Sequence, residues 1–107
     1  MLYKKYTIIM GLNDKNTLLP VAEFTAAQME VAGRLAQMEV GATLTRGIGS
    51  YKHDDGRVVV EESVIITVID FDGSFEAKAE SLYQGLKRDY NQESLAVEVA
   101  EVQSSLV

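Results

Sequence analysis

The stretch Arg57–Asp70, RVVVEESVIITVID, decides the fold. Val58, Val59, Val60, Val64, Ile65, Ile66, Val68 and Ile69 fall in one segment, the longest β-branched run of the chain. Branching at Cβ stiffens χ1 and suits an extended, pleated backbone. Both alternating sets are apolar, so the segment reads as a central strand with protein on each face. Its interruption is Glu61-Glu62-Ser63. Alternation sends one carboxylate to each face, and an acid inside an apolar strand needs hydrogen bonds or an opposite charge to offset its desolvation. Arg46 and Arg57 are the nearest candidate partners for Glu61 in the sequence.

Working outward, His53-Asp54-Asp55-Gly56 just before this strand is a tight-turn signature, and Ala42–Tyr51 before it reads as the paired strand. Gly47 and Gly49 in that strand mark a bulge or a close backbone approach. Downstream, Asp70–Ser74 is a loop offering Asp72 or Ser74 as helix cap. Phe75, Ala79, Leu82, Leu86 and Tyr90 then form one helical stripe that ends near Asn91, a residue that tolerates the left-handed cap. Leu95, Val97 and Val99 alternate with Ala96, Glu98 and Ala100 in a last strand.

Upstream, Tyr3–Leu12 reads as a first strand. Its apolar patch is too short for a signal peptide and lacks a small-residue cleavage site before Asn13-Asp14-Lys15-Asn16. Thr25 and Gln28 fit a capping box, with Phe24 and Met29 as its hydrophobic staple. Ala27, Val31, Leu35 and Met38 follow at helical spacing, Met29 and Met38 read as core, Gly33 suits close packing on a sheet, and Gly41 is placed as the C-terminal cap. The order strand, helix, strand, strand, helix, strand is that of a ferredoxin-like βαββαβ sandwich, an α+β fold with a four-stranded antiparallel sheet and both helices on one face. Residues 1–107 form a single domain of this kind.

Composition bounds the function. The chain carries a net charge of −6, so it does not suit direct binding to a phosphate backbone. It has no cysteine, which removes thiolate nucleophiles, disulfides and zinc–thiolate sites and fits a reducing cytoplasm. No apolar run reaches membrane-span length. His53, the only histidine, sits among turn acids without metal-ligand spacing, so no metal and no cofactor is expected.

With both helices on one side, Ile8, Met10, Leu44, Ile48, Val64, Ile66, Val68, Leu95, Val97 and Val99 are expected beneath them. Lys5, Thr7, Ile9, Thr43, Thr45, Gly47, Gly49, Tyr51, Val59, Glu61, Ser63, Ile65, Thr67, Ile69, Ala96, Glu98 and Ala100 then line an open face. That face is apolar enough to mark an interaction site, for which self-association is the simplest occupant.

Met10-Gly11-Leu12, Gly41, Gly49, Tyr51, Asp55-Gly56-Arg57, Glu61, Ser63 and Gln92-Glu93-Ser94 together give a further lead. In these motifs the chain resembles a family of uncharacterised bacterial domains, domain of unknown function 3574, over nearly its whole length. Tyr51 stands where that family usually has tryptophan, and the export signal common in its members is missing, which fits a cytoplasmic, mobile-element relative. The resemblance implies the same fold and the location of a polar site, but no activity.

The polar set expected to bind ligand is Glu61, Ser63, Tyr51, Arg46, Gln92, Glu93 and Ser94, with no catalytic residue assigned. The function expected is non-catalytic: a homo-oligomer holding a small polar molecule or a partner protein at its sheet face or subunit junction. One alternative is a small dimeric enzyme using Glu61, His53 and Tyr51. Another is an acidic inhibitor of a nucleic-acid-binding host enzyme, with Glu30, Glu39, Glu76 and Glu80 on one face.

Overall fold

The computed structural model describes all 107 residues. The elements are β1 (Leu2–Gly11), α1 (Phe24–Gln37), β2 (Thr43–Lys52), β3 (Val58–Asp70), α2 (Phe75–Asp89) and β4 (Ala96–Gln103). The sheet is antiparallel with order β2-β3-β1-β4, as a ferredoxin-like βαββαβ sandwich requires. Neither helix is long and apolar enough to cross a membrane.

The two central strands supply one side of the core. Tyr6, Ile8 and Met10 of β1 and Val64, Ile66 and Val68 of β3 are buried against Phe24, Ala27, Val31 and Leu35 of α1 and Phe75, Ala79, Leu82 and Leu86 of α2. Tyr6 meets Phe75 edge-on, with ring centroids 4.7 Å apart, a favoured aromatic geometry. A second tie joins the helices at the edge of the core, where Tyr90 is buried. Tyr90 Oη donates to Glu30 Oε1 at 2.7 Å, and Arg34 bridges Glu30 and Asp89. Burial first, then this bond to a carboxylate, pushes the Tyr90 hydroxyl well above its ordinary range.

Several local expectations are corrected. The α1 cap is Glu23, whose carboxylate accepts from the Ala26 amide at 3.0 Å, so the box of Thr25 and Gln28 does not form. An acid two residues earlier satisfies a free amide and favours the positive helix end, and Gln28 instead donates to the Leu44 carbonyl. Met29 is 68% exposed rather than core, and Gly33 touches nothing that a side chain would displace. The left-handed residue after α1 is Glu39, not Gly41. At α2 Ser74 holds the N-cap position as expected but makes no side-chain cap bond, and the Phe75 amide is met by Asp70 instead.

Pairing of β2 with β3 runs unbroken from Thr43 opposite Thr67 to Lys52 opposite Val58, so Gly47 and Gly49 mark no bulge. The helices rest mainly on β1 and β3 and cover the edges only in part, where Leu44 and Leu95 pack against the core. Ile48, Val97 and Val99, expected beneath the helices, point to that side but are exposed. The β2–β3 hairpin also runs past the end of β1, whose pairing with β3 stops at Gly11 opposite Ser63.

Leu82 is fully buried under this arrangement. Leu82→Ala should therefore cost about 2–5 kcal/mol in denaturant unfolding. A loss within about 0.5 kcal/mol, as for a surface site, would show that α2 presents another face to the sheet.

Candidate functional site

On the open face, where the hairpin passes the end of β1, a cleft of about 490 Å³ lies between the strands and two loops. This is the size range of small-molecule sites. Ile9 and Ala96 lie at the base with Gly11 and Gly49, while Tyr51, His53 and Asp54 approach from the hairpin and Glu61 and Ser63 from β3. Asp14, Lys15 and Leu18 come from the β1–α1 loop, and Gln92, Glu93 and Ser94 from the α2–β4 loop.

The alternation of β3 separates its two acids as expected. Glu62 turns to the helix side, where Arg46 Nη2 stands 2.6 Å from its Oε2. The Arg46 guanidinium also lies over the Phe24 ring at 5.0 Å. Arg46 is opposite Val64, so it shares the face of Glu62 and not that of Glu61. The structure therefore takes Arg46 out of the expected site and rules it out as the counter-ion of Glu61. Arg57 is not that partner either, because it is held by Asp55 at the hairpin tip at 2.6 Å.

Glu61 faces the cleft with no basic partner. It is half-buried, and its Oε2 accepts from the Asn13 backbone amide at 3.1 Å. Its carboxylate leans across the sheet onto Gly11 and leaves bare backbone over Gly49, where an added Cβ would meet nothing within 4 Å. Tyr51 stands beside that strip, two residues along β2 and 41% exposed. Of the two β2 glycines, Gly47 meets the close approach, since a Cβ there would stand 2.8 Å from Ile65 Cδ1, whereas nothing approaches Gly49.

The loop residues are held from below. Gln92 Nε2 donates to the Asn13 carbonyl at 2.8 Å and to the Tyr90 carbonyl at 2.9 Å. Asn91 Nδ2 donates to Asp14 Oδ2 at 2.5 Å, and the Lys15 amide donates to the Asn91 carbonyl. Asn91 takes the left-handed conformation expected of it, with φ 47°. The bond from Asn91, followed by the Thr17 and Asn16 amides, holds the Asp14 carboxyl below its ordinary range. Gln92 is thus committed to backbone, while Glu93 and Ser94 are exposed at the rim. Asn13 and Asp14, which tie both loops together, are missing from the expected set. Their only sequence signal was membership of a turn cluster, which does not disclose a partner 77 to 79 residues away.

Four acids, Asp14, Asp54, Glu61 and Glu93, line the cleft against one lysine, Lys15. That balance favours a cationic or hydroxyl-rich ligand. These acids are not grouped to hold a metal ion, and no set of three or more His, Cys, Asp or Glu side chains in the chain is.

No protein-family model matches the chain, and no curated protein does. Among solved structures, a phage SAM lyase in complex with S-methyl-5′-thioadenosine superposes with a TM-score of 0.71 and 25% identity, over 92% of this chain and 81% of that one. A phage SAM lyase in its apo state superposes with a TM-score of 0.64 and 28% identity, over 92% and 79%.

The loop ties give a direct test. Gln92→Ala removes two donors from half-buried carbonyls and should lower stability by about 1–2 kcal/mol in denaturant unfolding. A change inside about 0.5 kcal/mol would mean that the loops hold their positions without it.

Proposed function

We propose that this chain binds S-adenosylmethionine in the cleft beside Glu61 and Tyr51 and cleaves it, releasing S-methyl-5′-thioadenosine. The observation that carries this reading is the superposition on the thioadenosine-bound phage lyase across 92% of the chain. The chemistry of the cleft supports it. S-adenosylmethionine carries a sulfonium and an ammonium against one carboxylate, and the cleft is acidic. Tyr51 and the bare Gly49 backbone offer a flat apolar bed for an adenine ring. Carboxylate oxygens accept well from ribose hydroxyls or an ammonium.

Release of the thioether breaks the bond between sulfur and the amino-acid chain, and the electron pair goes to sulfur. The substrate's own carboxylate oxygen forms the new bond to that carbon and closes a five-membered lactone. No protein nucleophile, water or proton transfer is consumed. Opposite charges cancel as the bond forms, so a water-poor cleft that orients the two ends supplies most of what the step needs. Glu61, Glu93 and Asp14 would hold the ammonium and ribose, and Tyr51 the base. Such a protein suits a mobile-element accessory role.

The second reading is binding of the same ligand without turnover. It is favoured by the structural employment of the polar set, since Glu61 accepts from Asn13 and Gln92 is spent on two carbonyls. In either reading a second copy of the chain closes over the open face, where Ile9 is exposed and Ile65 half-buried.

Incubation with S-adenosylmethionine and separation of products by mass should show S-methyl-5′-thioadenosine and an amino-acid lactone in equal amounts. Retention of intact S-adenosylmethionine would favour the second reading, and neither binding nor cleavage would contradict both. Ile65→Lys should leave the fold but reduce the sedimenting mass, because burying an unpaired charge costs several kcal/mol. A monomer mass for the unaltered protein at high concentration would contradict the assembly.

A further inference from the structure

We propose that Gly11 is a positioning residue, whose missing side chain seats the Glu61 carboxylate on the wall of the cleft. Through Glu61 it sets how tightly the cleft holds its ligand. The second half of this statement rests on the ligand-site reading above.

Gly11 ends the β1–β3 pairing, opposite Ser63. Its backbone is not in the left-handed region, which among glycines is occupied by Gly56 and Gly73, so conformation does not require glycine here. Space does. A Cβ on Gly11 would stand 2.6 Å from Cδ, Oε1 and Oε2 of Glu61, a closer approach than at any other glycine of the chain. The volume above Gly11 is therefore filled by the carboxylate itself. There Oε2 receives the Asn13 amide at 3.1 Å, and Asn13 is in turn buried and held through its carbonyl by Gln92. The group a methyl would strike is the far end of a flexible side chain, with open space above Gly49 to receive it. A side chain at Gly11 thus moves the acid while leaving the strand in place.

The test is a cycle of Gly11→Ala, Glu61→Ala and the double variant, in isotopically labelled full-length protein. It reads the Asn13 amide proton by NMR, S-methyl-5′-thioadenosine binding by calorimetry, and melting. Gly11→Ala should melt within about 3 °C of the parent, as a surface change does. Its Asn13 amide proton should move upfield as the bond to Glu61 is lost. Ligand affinity should fall about ten- to a hundredfold, the worth of one hydrogen bond to a charged group. In the Glu61→Ala background the same substitution should change neither the Asn13 resonance nor the affinity further, since its effect runs through Glu61.

An unmoved Asn13 amide in Gly11→Ala would overturn the proposal. So would unchanged affinity in a parent that binds, or an equal loss in the Glu61→Ala background. If Gly11→Ala fails to fold, Glu61→Ala should restore folding, and failure to do so would show that the methyl meets backbone instead. If the parent binds no thioadenosine, the ligand-site reading fails. The Asn13 amide then decides the seating of Glu61 alone.

Discussion

The pairing of β1 with β3 is the constraint on which the rest of the structure depends. Its register sets Ile8 opposite Ile66 and Met10 opposite Val64, and all four side chains lie beneath the helices. The same register sets Ile9 opposite Ile65 and Gly11 opposite Ser63 on the other face. A slip of one residue would exchange the two sets, burying Glu61 and its neighbours and exposing the core. The hydrophobic pattern that builds the core therefore also fixes where Glu61 stands.

The cleft arises because β3 is longer than the strand beside it. Where β1 stops, the hairpin continues alone, and the loops before α1 and after α2 fill in beside it. Those loops hold together through Gln92, Asn91, Asp14 and Asn13, using backbone carbonyls and amides that strand pairing leaves free. Glu61 stands at the join of strand and loop, bound to one and packed on the other. Its desolvation is offset by an amide rather than a cation, which leaves its negative charge uncompensated toward the cleft.

The strand order, both helical stripes and the division of the sheet into two faces were legible in the sequence, because periods of two and 3.6 are strong signals over segments of this length. Local capping was less so. Glu23 took the cap expected of Thr25, and Asp70 the amide bond that Ser74 leaves unmade at the N-cap of α2, since several nearby groups can meet the same free amide and tertiary packing chooses among them. At the site, Tyr51, Glu61, Ser63, Gln92, Glu93 and Ser94 come together as expected. Arg46 does not, because facing in a strand follows parity rather than nearness in sequence. The seating of Glu61 on Gly11 was not legible at all. A glycine at the end of a strand discloses nothing about the side chain of another strand that fills its place.

The central claim is that the cleft beside Glu61 and Tyr51 is the place where a thioadenosine nucleoside binds. Mapping of backbone amide shifts on titration with S-methyl-5′-thioadenosine tests this most directly. The account predicts shifts at Gly11, Gly49, Tyr51, Glu61, Ser63 and Ser94, with Asp70–Phe75 at the opposite end of β3 unmoved. Saturable shifts centred on Asp70–Phe75, or none at millimolar ligand, would contradict it.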